Sequence, residues 1–212
     1  SWFASKRSNK KLAQKNKEVE QQKATAEWER QKSDELLLNI LPEPTAVELK
    51  EKGYATPKKY NLATVLFTDF SGFTTISEQL TPELLVRELN DCFVAFDEII
   101  ERYGLEKIKT IGDGYMCAGG IPIPNETNPM DTVRAALEMR AFMKQKTAEK
   151  QAAGMPYWKM RMGIHSGELV AGVVGKKKFV YDVWGDTVNV ASRMESNGVE
   201  EKINISKTTY EL

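Results

Sequence analysis

Two cysteines and a single histidine in 212 residues leave little room for several kinds of chemistry. Cys92 falls in a helical stretch and Cys117 in a strand-like one, so they make neither a disulfide framework nor a metal-ligand cluster. Both read as reduced, buried thiols in a cytosolic setting. His165 has no nucleophile or triad partner arranged around it and reads as structural. The formal net charge is +0, which removes any bulk electrostatic argument for nucleic-acid binding. No apolar run approaches the roughly 20 residues that a membrane-spanning helix needs, so the chain is expected to be soluble.

What remains is a chain with enough apolar residues, 41%, for a real core, and with charge, 28%, concentrated in its first fifty positions. That division suggests one enzymatic domain with an appendage. Residues 1–41 read as a helix in which Leu12, Val19, Ala26, Ser33 and Ile40 recur every seven positions, opposite a mostly polar seam of Asn16, Lys23, Arg30 and Leu37. The pattern fits a weak coiled-coil stalk or a solvated amphipathic helix. Trp2-Phe3 followed by Lys6, Arg7, Lys10, Lys11, Lys15 and Lys17 is the order found on the cytoplasmic flank of a membrane span. The expectation is a cytoplasmic portion of an inner (plasma) membrane receptor whose sensor lies upstream. Leu41-Pro-Glu-Pro44 should end the stalk helix and open a transducer linker, 42–60, with a further helical segment from Val47 to Lys52.

From 61 to 212 strand and helix patterns alternate. Leu62 to Thr68 is strand-like, Pro82 to Tyr103 has helical spacing, and Lys107 to Ile111 and Tyr115 to Ala118 flank a tight turn. A second helix covers Met130 to Glu149, and strands at Lys159–Ile164 and Glu168–Val174 are joined by a turn at His165-Ser-Gly167. The order βαββαβ predicts an α/β (α+β) fold, a ferredoxin-like sheet with helices on one face.

Two acids carry the chemistry. Asp69 ends the apolar run Leu62-Ala-Thr-Val-Leu-Phe-Thr, and Asp113 lies inside Ile111-Gly-Asp-Gly114. Carboxylates on strand ends, one in a glycine-flanked turn, suit Mg²⁺ held against phosphates. Taken singly, each also reads as a helix cap or a turn acid.

Four stretches occur in order: Phe67-Thr-Asp-Phe-Ser-Gly-Phe-Thr74, Lys109-Thr-Ile-Gly-Asp-Gly-Tyr115, Met162-Gly-Ile-His-Ser-Gly167 and Tyr181-Asp-Val-Trp-Gly-Asp-Thr-Val-Asn-Val-Ala-Ser-Arg-Met194. Together they closely resemble the catalytic domain of class III nucleotidyl cyclases. The resemblance implies two Mg²⁺ or Mn²⁺ ions per site on Asp69, Asp113 and the carbonyl of Phe70, and phosphate held by the amides of Ser71, Gly72, Phe73 and Thr74. It implies that Lys109 and Asp182 read the purine, that Arg161 meets the terminal phosphates, that Asn189 orients the ribose and that Arg193 offsets transition-state charge. An ammonium toward N1 and a carboxylate toward N6 fit ATP, whereas guanylyl cyclases of the family place glutamate and cysteine at those positions. A head-to-tail homodimer is implied, one subunit giving the metal aspartates and Arg161 and the other Lys109, Asp182, Asn189 and Arg193. The family continues with two more strands and a triphosphate-binding lysine where this chain stops at Tyr210-Glu-Leu212, so the C-terminal strands are expected to be missing. Guanylyl cyclase and a degenerate dimerisation module are the alternatives. Trp184 and Phe179 read as packing or dimer contacts, and Lys176-Lys-Lys178 as a solvated loop or dimer arm.

Overall fold

The computed structural model describes residues 2–175 and 178–212. Lys176 and Lys177, two of the three lysines of the lysine-rich loop, lie outside the described residues.

The N-terminal helix α1 (Trp2–Leu38) is continuous, and Leu12, Val19 and Ile40 of its expected seam, the last just beyond the helix end, are exposed in the single chain. Leu37, placed by the sequence on the polar seam, instead packs against the body of the protein. The two prolines start the next helix as well as stopping the first. Pro42 is the N-cap of α2 (Glu43–Lys52) and Pro44 lies in its first turn, where a missing N–H costs no intrahelical bond. This helix therefore begins earlier than Val47. It closes at Gly53, whose φ of 78° is the left-handed value that glycine adopts freely.

The sheet is six-stranded, with order β2-β3-β1-β4-β5 and β6 beside β4. Its strands are β1 (Lys58–Ser71), β2 (Glu106–Ile111), β3 (Gly114–Gly119), β4 (Lys159–Val174), β5 (Val180–Trp184) and β6 (Ile203–Ile205). Central β1 pairs antiparallel with both β3 and β4, which is the ferredoxin-like βαββαβ arrangement. The helices are α3 (Phe73–Ser77), α4 (Pro82–Arg102), α5 (Asn128–Ala152), α6 (Asp186–Ser196) and α7 (Lys207–Glu211). Strand periodicity sorts β1 into two faces. Leu66 and Phe70 join a core built with Phe96 and Ile100 of α4 and Ala136, Met139 and Met143 of α5. Ala63 and Val65 face the other way, into a second core with Ala46 of α2, Ala191 of α6 and Leu41. Helices thus cover both faces, not one. Asp69 continues the Ala63, Val65 series, so its carboxylate emerges on the face that α6 covers.

The expected turn at His165-Ser-Gly167 is absent: these residues are the middle of β4, paired with Val65, Thr64 and Ala63. The glycine has another purpose. A Cβ at Gly167 would meet Thr187 Oγ1 at 2.6 Å, and one at Gly163 would meet the Glu195 amide nitrogen at 1.9 Å. Both glycines let α6 lie directly on the strand. Cys92 and Cys117 are free and buried, as expected.

Candidate active site

Three groups of side chains can be built from these elements. The first forms where β1 ends. Arg161, in register opposite Asp69, donates from Nη2 to Asp69 Oδ2 at 2.7 Å. The β2–β3 turn comes to the same point: Gly112 takes φ 61°, and Asp113 Oδ2 accepts the Phe70 N–H at 3.2 Å. Gly114 has no room for a side chain, since a Cβ would lie 3.0 Å from the Thr68 carbonyl oxygen. Burial raises the Asp113 carboxyl above its ordinary pKa of 3.8, and the charge of neighbouring Asp69 raises it further. Two acids are therefore crowded together, with Arg161 as partial compensation.

A third acid was not foreseen. Glu195, 8% exposed, stands with Oε1 3.2 Å from Arg161 Nε. Burial raises its carboxyl above 4.5, followed by repulsion from Asp69. The available signal was its spacing: Val188, Ala191 and Glu195 repeat at helical intervals on the apolar side of α6, where an acid is out of place without a partner.

Just beyond Asp69 the chain turns at Gly72, φ 70°, into α3. The Ser71 hydroxyl is buried there without a hydrogen-bond partner among the described residues. Phe70 anchors the turn, its ring stacked on Trp158 with centroids 5.3 Å apart.

The second group is Lys109 and Asp182. Their strands, β2 and β5, are at opposite ends of the strand order, yet Lys109 Nζ donates to Asp182 Oδ2 at 2.5 Å. The sheet is curled enough to bring its edges within reach. Asp182 is further fixed through Oδ1, which accepts the Val183 N–H at 2.9 Å.

The third group is Asn189 and Arg193, one turn apart on α6 and both exposed. They lie on the side opposite Thr187, Ala191 and Glu195, which are buried against the sheet. Neither side chain has a hydrogen bond or ion pair among the described residues. A single chain therefore brings Asp69, Asp113 and Arg161 together, and Lys109 with Asp182, but turns Asn189 and Arg193 outward. His165 stands apart from these groups in the middle of β4, its Nδ1 2.7 Å from Ser206 Oγ and its pKa lowered by burial.

Residues 55–212 match the family model of the adenylate and guanylate cyclase catalytic domain. The chain belongs to that family. Among relatives of this cyclase domain, human guanylyl cyclase C is 41% identical over 195 residues, covering 92% of this chain and 18% of the relative. An adenylate cyclase of Mycobacterium tuberculosis is 42% identical over 189 residues, covering 89% of this chain and 42% of the relative. This cyclase domain thus spans less than half the length of either. The crystal structure of the adenylyl cyclase CyaB from P. aeruginosa superimposes with a TM-score of 0.69 at 32% identity, covering 74% of this chain and 81% of that one.

Proposed function

We propose that this cyclase domain converts ATP to 3′,5′-cyclic AMP and pyrophosphate. The Lys109–Asp182 pair, held at 2.5 Å, carries the choice of base. Side by side, an ammonium donor and a carboxylate acceptor match adenine N1 and N6.

The ribose 3′-hydroxyl gives up its proton to solvent as its oxygen attacks the α-phosphorus and the bond to pyrophosphate breaks. Asp69, Asp113 and the Phe70 carbonyl would hold two Mg²⁺ or Mn²⁺ ions, and the all-oxygen donor set with crowded carboxylates suits such hard cations. When bound, the metals lower the pKa of the 3′-hydroxyl and offset charge on the phosphates. The Ser71 hydroxyl and the amides of Gly72, Phe73 and Thr74 are suited to phosphate oxygens, Arg161 to the terminal phosphates, Asn189 to the ribose and Arg193 to charge developing on the transferring phosphoryl group.

Because Asn189 and Arg193 face away from Glu195 and the acids beside it, a complete site requires a second copy, arranged head to tail. Exposed Ile111, Val174, Phe179, Val180 and Trp184 offer apolar surface near the purine pair for that contact. No helix among the described residues is long and apolar enough to cross a membrane. We read this domain as the output end of a membrane receptor, with α1 as a stalk pairing with its copy.

Assay with ATP and GTP side by side, with Mg²⁺ or Mn²⁺, tests the reading: cyclic AMP should dominate. Relatives of both kinds are about equally similar, 41% for human guanylyl cyclase C and 42% for the M. tuberculosis adenylate cyclase, and a faster rate with GTP would establish the guanylyl cyclase reading instead.

A further inference from the structure

Arg161 bridges two acids that differ in what they can do. Its Nη2 donates to Asp69, whose side chain is about one-third exposed at 32%. On its other edge Nε faces Glu195 Oε1 at 3.2 Å, but the pair is not aligned, and neither atom has a hydrogen-bond partner among the described residues. Glu195 is held close to the arginine mainly by its backbone, since the Ser196 hydroxyl also faces the Ser192 carbonyl at 3.0 Å. Its backbone rests on Gly163, and its second oxygen, Oε2, accepts from Ser196 Oγ at 3.1 Å.

A carboxylate oxygen engaged by a divalent cation is a poorer acceptor for a guanidinium, so metal on Asp69 would release the η nitrogens of Arg161. A freed arginine whose side chain is 29% exposed, as that of Arg161 is, would ordinarily swing toward water. Here one buried acid still stands behind its ε edge, and the planar fork leaves both η nitrogens available for phosphate oxygens. Resting on the assignment of Arg161 to the terminal phosphates, we propose that Glu195 is a positioning residue: it takes over Arg161 from Asp69 and aims it at the triphosphate.

Glu195→Gln, Glu195→Asp, Arg161→Ala and the Arg161→Ala/Glu195→Gln pair test this in the dimeric, metal-supplied protein. Inorganic pyrophosphate probes the terminal-phosphate subsite without any base, by inhibition and by calorimetric titration. Glu195→Gln should raise KM and weaken pyrophosphate binding by about tenfold while kcat changes by less than about threefold. Glu195→Asp, shorter by one methylene, should lose about threefold in pyrophosphate affinity. In the Arg161→Ala background the glutamine should add nothing. Additive losses, or unaltered pyrophosphate affinity in Glu195→Gln, overturn the proposal. Should the glutamine variant fail to fold, unaltered affinity in Glu195→Asp overturns it equally. A wild-type protein that cyclises neither ATP nor GTP sinks the functional reading itself, whereas an active one with normal pyrophosphate binding in the variants sinks only the role of Glu195.

Discussion

Asp69 and Asp113 come from segments 44 positions apart in sequence, yet each was legible because its own flanking residues announce a strand end or a tight turn. Asp113→Asn should lower cyclase activity on the order of 100-fold or more, as loss of a metal-holding group does. Without metal, the same change should leave the melting temperature unchanged or higher, since it removes repulsion between two acids; calorimetry in chelator checks it. Glu195 was harder to read: its immediate neighbours do not mark it, its helical spacing from Ala191 is the one sequence signal, and packing against Gly163 is what shows the acid to be buried. Glu106 is another such residue. Burial on β2 raises its pKa from 4.5 to about 7, so the folded state holds the proton more tightly than the unfolded one. Stability from this group is present in full below about 4.5 and is lost as pH rises through about 7. Glu106→Gln should therefore melt higher than wild type at about pH 8, with the gap closing toward about pH 5.

At the scale of elements, glycine misled. In a strand-like run Gly167 resembles a turn signal, but its use is close approach of a helix, a tertiary fact that local pattern does not carry. Gly163→Ala should push α6 off β4 and cost about 1–3 kcal/mol or more, measured by denaturant unfolding. The loss of activity should exceed the loss of stability, because Asn189 and Arg193 ride on α6. Helices α4 and α5 were legible almost to their ends, since Pro82 and the apolar spacing are local signals. The joint between α1 and α2 was recognised by its prolines, but not that Leu41, 2% exposed, plugs into the sheet. On the proposed stalk role of α1, glycines inserted between Pro42 and Pro44 should uncouple the stalk from activity while leaving basal turnover, read by comparing regulated and basal cyclic nucleotide output in the full-length protein.

For the whole molecule, the first four strands follow the expected βαββαβ pattern, but β5, β6 and the curl that joins Lys109 to Asp182 were not legible in it. Strand order alone puts β2 and β5 at opposite edges, and their meeting depends on accumulated twist. The outward face of α6 makes a clear prediction about assembly. Asp69→Asn and Asn189→Ala proteins, each inactive alone, should regain about a quarter of wild-type activity when mixed in equal amounts, because half the dimers then carry one intact site of two. Mixtures that stay inactive would show that each protomer builds its site unaided.

On the proposed metal binding, the Arg161–Asp69 bond also bears on how this protein would meet scarcity of divalent ions. Here the arginine serves as an internal counter-ion, so depletion should leave a quiet, intact protein that wakes when magnesium returns, with no refolding between.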